Sequence, residues 1–286
     1  MAAVSEFLAR VCAEAVARVR AARDVEPFDA LRARALATPP PPAFGPALAG
    51  GRIIAEVKRA SPSRGAIAPG CDAPAQAMAY AAGGAAAVSV LTEPEHFGGH
   101  LDDLAGTAAA VDVPVLRKDF VVDPYQLYEA RAAGAAAALL LVAALGQPQL
   151  ETLLGTARDA GIEVLVETHD VGEARRATAA LAAVPPASGR PPVVGVNARD
   201  LRRLAVDRAV FSAVVDAVPP GAVVVAESGV TGPADVARYV AGGADAVLVG
   251  EHLMRAVDPA SATRALATAA STAARDRGRH DVKDTL

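Results

Sequence analysis

The sequence predicts an α/β chain folded as a (β/α)8 barrel, with an extra helical segment at its N-terminus. Three observations predict this fold. Eight short apolar runs recur along the chain, with helical segments between them. Most lie about 20–35 residues apart, the size of one β–α unit. Four of the runs follow a helix that ends at glycine, which takes a left-handed turn without steric cost. The runs also close on polar or charged residues, beginning with Ile53-Ile54-Ala55-Glu56-Val57-Lys58. Side chains alternate along a strand, so Glu56 and Lys58 point to one side. Buried charge is costly unless it is paired or put to use.

In chain order, Ser5 to about Arg23 reads as an amphipathic helix with Phe7, Leu8, Val11, Cys12, Ala15, Val16 and Val19 near one face. Pro39 to Pro42 form a stiff linker that cannot continue a helix. The barrel begins near Gly51. Its strands are expected at Ile53–Val57, Val88–Leu91, Val115–Leu116, Leu139–Val142, Val164–Glu167, Val193–Val196, Val223–Ala226 and Val247–Gly250. Helices ending at Gly83-Gly84, Gly134, Gly161 and Gly242-Gly243 lead into the second, fourth, fifth and eighth. A doubly wound open sheet is the competing architecture, but no Gly-x-Gly-x-x-Gly turn follows the first strand. Val184 to Pro192 reads as a Pro-rich surface decoration, and Arg275 to Leu286 as a charged, frayed tail. The organisation expected is therefore an N-terminal extension and linker over 1–50, a barrel over 51–272 and a tail over 273–286.

Composition narrows the function classes. The chain has 286 residues, 52% of them hydrophobic, and a net charge of −4, with no basic excess for nucleic acid. Cys12 and Cys71 have no metal-ligand spacing and make no disulfide framework, which favours a reducing cytoplasm. The most apolar stretch, Ala135 to Leu145, is too short to span a membrane. The N-terminal arginines superficially suggest a transit peptide, but Glu6 and Glu14 argue for an amphipathic helix instead.

Active sites of such barrels sit at the C-terminal strand ends. Those ends carry Glu56 and Lys58, Thr92-Glu93, Lys118, Val142, Glu167, Asn197, Glu227-Ser228 and Gly250. Alternate strands share a layer, which is expected to hold Lys58, Lys118, Glu167 and Glu227. Two lysines facing two glutamates suit proton transfer near neutral pH. Any one of them alone would read equally well as a structural ion pair; the set reads as a site. Ser228-Gly229-Val230 and Gly250 occupy the loops where this fold binds phosphate, and Ser61-Pro62-Ser63-Arg64-Gly65 adds a polar loop after the first strand. Ordinary βα turns would also use glycine and serine.

These strand ends carry a resemblance. Glu56 to Gly65 is similar to the signature of the indole-3-glycerol phosphate synthase family, a TIM-barrel family. So are Ser89-Val90-Leu91-Thr92 with Phe97-Gly98-Gly99, and Leu116-Arg117-Lys118-Asp119-Phe120 with Asp123-Pro124-Tyr125-Gln126. Leu165-Val166-Glu167, Gly195 to Leu201, Glu227 to Val230 and Leu248 to Glu251 continue it in order, from about Ile53 to Asp258. The resemblance implies ring closure of 1-(2-carboxyphenylamino)-1-deoxyribulose 5-phosphate with loss of carbon dioxide and water, in tryptophan biosynthesis. It implies no metal and no organic cofactor. Lys118 is then the general acid at the ketone oxygen and Glu167 the general base. Lys58 and Glu56 handle the carboxylate and the dehydration, and Asn197 and Glu227 position groups. Arg199 is the expected fork for the anthranilate carboxylate. Ser61, Ser228, Gly229 and Gly250 are the expected phosphate residues. Phe97 and Phe120 either contact the aromatic ring or pack in the core. Ala198 departs from the asparagine of many members, Glu251 places an acid beside the phosphate loop, and the first 50 residues match weakly. In the family an N-terminal helix covers the active-site mouth, a role that Ser5 to Arg23 could fill.

Other groups are set aside. His96 and His100 with Glu93 and Glu95 lie in a loop that is not metal-binding in the family. His169 is expected to be a solvated loop residue, Cys71 has no nearby base, and Arg202-Arg203 reads as a solvated face. The protein expected is a monomeric or weakly associating enzyme acting on a small molecule, with no nucleic-acid or membrane partner. Rival readings are phosphoribosylanthranilate isomerase, which would not require the paired lysines, an idle paralogue serving as a scaffold, and an enzyme taking a ring-substituted substrate.

Overall fold

A computed structural model describes residues 6–199 and 209–283; Arg202-Arg203 lie outside the described residues. Eight parallel strands close into a barrel in chain order: β1 (Arg52–Val57), β2 (Ala87–Leu91), β3 (Val115–Lys118), β4 (Ala137–Leu141), β5 (Glu163–Thr168), β6 (Val193–Asn197), β7 (Val223–Glu227) and β8 (Ala246–Val249), the last pairing with β1. All eight expected runs are strands, with bounds moved by one or two residues.

The two-residue pleat sorts the strand residues into two cores. Ile53, Ala55, Val88, Val90, Leu140, Val166, Val194 and Val247 face outward and pack with helix residues. Ile54, Leu116, Leu139, Leu165, Val225 and Leu248 fill the barrel. Carried round the closed barrel, the strand register stacks the inward residues in layers. Ile54, Leu116, Leu165 and Val225 share one level. Ser89, Leu139, Gly195 and Leu248 lie above it, then Glu56, Lys118, Glu167 and Glu227, then Leu91, Leu141, Asn197 and Gly250. The charged layer therefore takes Glu56 from β1, and Lys58 stands above it just past the strand. The layer expected with Lys58 is corrected here: the stagger of a tilted barrel fixes the level, and strand order alone does not show it.

The N-terminal extension is built into the barrel. Helix α1 (Glu6–Val25) buries Leu8, Val11, Ala15 and Val19, spaced three or four residues apart along one face. Leu8 and Val11 pack with Leu141 and Phe120 at the C-terminal mouth. Arg18 and Arg23 pair with Asp119 and Asp123 at 3.1 and 2.8 Å, and Glu14 meets His96 at 3.0 Å. Two further helices precede the barrel that the sequence reading passed over, α2 (Phe28–Ala37) and α3 (Phe44–Ala47). The proline linker runs between them, and α3 plugs the opposite end, where Phe44 and Leu48 join the inner core.

The remaining helices are α4 (Ala73–Ala82), α5 (Pro94–Phe97), α6 (Leu101–Ala110), α7 (Pro124–Ala132), α8 (Gln147–Ala160), α9 (Val171–Ala183), α10 (Ala209–Val215), α11 (Pro233–Ala241), α12 (Glu251–Met254) and α13 (Pro259–Lys283). Gly161 closes α8 at φ 69°, the left-handed cap expected there. Two other expectations change. The segment Val184 to Pro192 is more than decoration, because its Arg190 pairs with Glu163 on the barrel floor. The region expected to fray continues α13 to Lys283, and Arg277 donates to the Val240 and Ala244 carbonyls at 2.8 and 3.2 Å. Among the described residues no helix is long and apolar enough to cross a membrane.

Glu163 ties the floor together. Its carboxylate accepts the N–H groups of Phe44 and Gly45 at 2.7 and 3.0 Å, at the open start of α3, besides pairing with Arg190. Glu163→Ala leaves those buried donors unpaired and should cost about 1–3 kcal/mol in urea unfolding. The opposite end of the barrel should keep its activity; a parallel loss of kcat/KM would show that the plug shapes the site as well.

Candidate active site

The strand C-termini open into a cavity of about 630 Å³. Every residue singled out in the sequence lies on its wall: Glu56, Lys58, Ser61, Phe97, Lys118, Phe120, Glu167, Asn197, Arg199, Glu227, Ser228, Gly229 and Gly250. Phe7, Leu8, Leu91, Leu139, Leu141 and Leu248 line it too. Sequence reading assigned no ligand contact to these apolar residues, although Phe7 and Leu8 stood on the predicted helix face.

At the centre, Lys118 Nζ donates to Glu167 Oε2 at 2.8 Å and to Glu227 Oε2 at 3.1 Å. Burial pulls the ammonium toward its neutral form, but the carboxylates of Glu167, Glu227 and Glu56 more than offset this and raise its pKa. Burial likewise pushes Glu167 up. Lys118 and His169 overcome that push and hold it well below the usual carboxylate range. Glu227 goes the other way: burial, then the nearby Glu167 charge, push it up to about 8. One lysine cannot fully offset several carboxylates, and Glu227 is where the excess proton is held.

Two glycines make room for this layer. A Cβ on Gly195 would stand 2.2 Å from Glu227 Oε1, and one on Gly250 would stand 2.4 Å from Glu56 Oε1. Glu56 Oε1 accepts from Lys58 Nζ at 2.7 Å. Glu56 Oε2 and Glu227 Oε1 are buried with no hydrogen-bond partner in the protein. Unpaired buried oxygens of this kind are costly. Gly195 was missed as a site residue, although a glycine inside a strand is itself a signal of close approach.

Asn197 joins the charged layer to the seventh loop. Its Nδ2 donates to Glu167 Oε1 at 2.8 Å, and its Oδ1 accepts from Ser228 Oγ at 2.8 Å and from the Arg199 N–H at 3.0 Å. Ser228 sits at φ 71°, beside Gly229 at φ 76°. A left-handed serine is strained, and the Tyr239 hydroxyl holds its carbonyl at 3.1 Å. The helix expected after Gly250 is the single turn α12. Arg199 reaches Ser63 of the first loop at 3.4 Å. On the apolar side, the Phe97 and Phe120 rings stand 6.3 Å apart at 48°.

Behind the wall, Arg117 fixes the chain on both sides of Lys118. It is buried and donates to Asp119 at 2.9 Å, Glu129 at 2.7 Å, the Gln126 carbonyl at 2.8 Å and Thr92 Oγ1 at 3.2 Å. Asp119 also accepts from the Thr92 hydroxyl at 2.7 Å and the Phe120 N–H at 2.8 Å. Sequence reading included Arg117 and Asp119 in a motif but gave them no part.

Of the groups set aside, Glu93 accepts three N–H groups from the first turn of α5, and His96 meets Glu14 and the edge of Phe7. These three acidic and imidazole side chains lie within 4.8 Å of one another. Burial pushes the Cys71 thiol up, away from thiolate chemistry. The expectation for His169 is overturned. Its side chain is only 11% exposed, and its ring nitrogens face Glu167 at 3.2 Å and Glu173 at 3.0 Å.

The family model described as indole-3-glycerol phosphate synthase matches residues 8–266. Among curated proteins, the indole-3-glycerol phosphate synthase of Mycolicibacterium smegmatis is 52% identical over 255 residues, covering 88% of this chain and 90% of its own. That of Beutenbergia cavernae is 54% identical over 228 residues, covering 80% and 81%. Streptomyces coelicolor indole-3-glycerol phosphate synthase 1 is 51% identical over 230 residues, covering 80% and 82%. Among solved structures, 3-hexulose-6-phosphate synthase from Salmonella typhimurium superposes with a TM-score of 0.60 at 16% identity, covering 78% of this chain and 99% of that one. Thiamine phosphate pyrophosphorylase from Pyrococcus furiosus gives 0.59 at 15%, covering 79% and 98%. At such identities these two share the barrel fold.

Holding a proton on Glu227 has a consequence for stability. Its folded pKa of about 8 lies above the 4.5 of a free glutamate, so between those values the folded state binds the extra proton. This contribution is fully present below the unfolded value and is lost as pH rises through the folded one. Glu227→Gln keeps the shape without the titration. Its melting temperature should gain on the wild type progressively from mildly acidic to alkaline pH; a pH-independent difference would place the proton elsewhere.

Proposed function

The chain belongs to the indole-3-glycerol phosphate synthase family, and we propose that its cavity performs that family's reaction with the residues described above. The enzyme is a carboxy-lyase of tryptophan biosynthesis. It converts 1-(2-carboxyphenylamino)-1-deoxyribulose 5-phosphate to indole-3-glycerol phosphate, carbon dioxide and water. The observation that carries the assignment of roles is the layer of Glu56, Lys118, Glu167 and Glu227 at the base of a cavity with one apolar, aromatic wall and one serine- and glycine-lined wall. We place the enzyme in the cytoplasm, as a monomeric or weakly associating barrel.

The substrate's ends differ as the walls do. Its aryl ring sits against Phe97, Phe120 and Leu141, with the carboxylate toward Arg199 and Lys58. Its phosphate takes the donors of Ser61, Ser228, Gly229 and Gly250. This stretches the ribulose chain over the charged layer, with its ketone at Lys118.

In the first step the aryl carbon bearing the carboxylate attacks the ketone carbon. Lys118 Nζ gives its proton to the ketone oxygen, which becomes a hydroxyl. An ammonium fixed between two carboxylates is aimed before the charge on that oxygen develops, so little reorganisation is needed. The carboxylate then leaves as carbon dioxide, and its bonding pair restores the aromatic ring. In the second stage the hydroxyl takes a proton from the Lys58 ammonium and leaves as water. Glu167, ionised and held by Asn197, removes the ring methylene proton to complete the indole. Glu56 and Lys58 form the adjacent pair for the dehydration. Glu227 is protonated near neutral pH, with its Oε1 over Gly195 and its Oε2 on Lys118.

Purified protein incubated with the carboxyphenylamino-deoxyribulose phosphate should release carbon dioxide and develop indole fluorescence; no product at high enzyme concentration defeats the proposal. Lys118→Ala should lower kcat by about 10²–10⁴-fold while circular dichroism stays that of the wild type. Near-normal turnover would remove Lys118 from the role of acid. Gly195→Ala, with its methyl group directed at Glu227, should lower kcat/KM by about 100-fold. Full activity in that variant would mean that Glu227 can move without consequence for the reaction.

A further inference from the structure

Glu167 is held from behind by a histidine that is outside the cavity lining. His169 follows the end of β5 and lies under the first turn of α9. Its Nδ1 is hydrogen-bonded to Glu173 Oε2 at 3.0 Å, and its Nε2 lies 3.2 Å from Glu167 Oε1 as a charge contact, without a hydrogen-bond partner of its own. Its own N–H donates to the same Glu173 oxygen at 2.8 Å. Glu173 is in turn fixed, because its N–H donates to Asp170 Oδ1 at 2.8 Å at the helix start. A neutral imidazole has one N–H and one lone pair. Placed here, it would turn a lone pair toward one carboxylate or the other. Only the imidazolium gives each carboxylate a donor or a positive charge. Among the described residues, the charged groups facing the ring are Glu167 from β5 and Glu173 from α9; Lys118 lies on the far side of Glu167.

We propose that His169 is a positioning residue for the reaction, an imidazolium wedged between Glu167 and Glu173 that keeps the base ionised and turned into the cavity. The proposal rests on the assignment of Glu167 as base. Glu167 then takes hydrogen bonds from Lys118 on Oε2 and Asn197 on Oε1, and the His169 charge stands 3.2 Å from Oε1. Glu227 has the lysine but no second cation. Two glutamates on alternate strands thus diverge in protonation because one has a histidine behind it. Burial alone would make the ring neutral, but the two carboxylates reverse this and raise its pKa to about 10.

Nitrogen NMR of histidine-labelled protein tests the charge directly. Both ring nitrogens of His169 should be protonated at about pH 8, where an ordinary histidine is neutral. In kinetics, His169→Asn should move the acid limb of the kcat/KM profile upward by about one unit or more, with KM changed less than kcat. Glu173→Gln, which leaves the ring in place, should move it in the same direction by less. A purely structural role would lower the melting temperature of both variants and leave the limb in place. A neutral His169 at that pH, or an unmoved limb in both variants, overturns the proposal. Glu167→Gln separates the two claims. Retained turnover overturns the base assignment and this proposal with it, whereas lost turnover with an unmoved limb in the other variants overturns this proposal alone.

Discussion

One lysine ammonium buried among three carboxylates is the constraint on which the rest of this barrel depends. A charge so placed is tolerated only when its partners are close and their geometry is fixed. The layers above and below meet that demand. Beneath lies a level of leucines with Ser89 and Gly195, and above it Leu91, Leu141, Asn197 and Gly250. The apolar members exclude water and strengthen every charge interaction inside. The glycines supply the volume that the glutamates occupy, and Asn197 supplies the hydrogen bond that orients one of them.

The same constraint explains the elaborate support behind the site. Lys118 ends β3, and its two neighbours in sequence, Arg117 and Asp119, point away from the cavity centre into a buried network that includes Thr92, Glu129 and Gln126. Arg18 reaches this network from α1, bonding Asp119 at 3.1 Å. The N-terminal extension thus contributes apolar residues to the cavity mouth and a cation to the framework that aims Lys118. The extension is joined covalently at the start of the chain, but mechanically it belongs to the second and third strands.

Much of this was legible in the sequence, for physical reasons. The strands could be read because a barrel strand is buried on both faces and appears as a continuous apolar run. The charged residues at their ends could be read because such runs have no reason to close on Glu-x-Lys or Arg-Lys-Asp. What escaped depends on distance relations that the linear order hides. Whether Glu56 or Lys58 shares a level with Lys118 is set by the barrel's stagger. Helix α2 went unread because alanines fill its length, and only Leu31 and Ala35 mark its buried face. His169 reads as a solvated loop residue in the sequence because it follows Glu167 past the strand's apolar run. Its partner Glu173 lies one helical turn onward, and the pair is recognisable only once α9 is seen to cap that turn. The proline segment before β6 was dismissed for the same reason: Arg190 meets a glutamate on another strand.

Glu167 and Glu227 show how far environment outweighs residue type. Both lie at the C-terminal ends of alternate strands, within a residue of the last position, both are buried, and both take a bond from the same lysine. In isolation they would titrate together. The asymmetry comes from what stands on the far side of each. Glu167 has an amide donor on Oε1 and the His169 ring in charge contact with the same oxygen. Glu227 has the bare backbone of Gly195 beneath Oε1 and no donor there. The lysine's field is therefore divided between a carboxylate that is otherwise satisfied and one that is not, and the second retains the proton. Splitting a pair of carboxylates in this way gives one fold an acid and a base at the same pH. Because the split is set by the protein's own groups, it exists before substrate arrives. The two carboxyl groups flanking Lys118 are therefore already distinct in protonation.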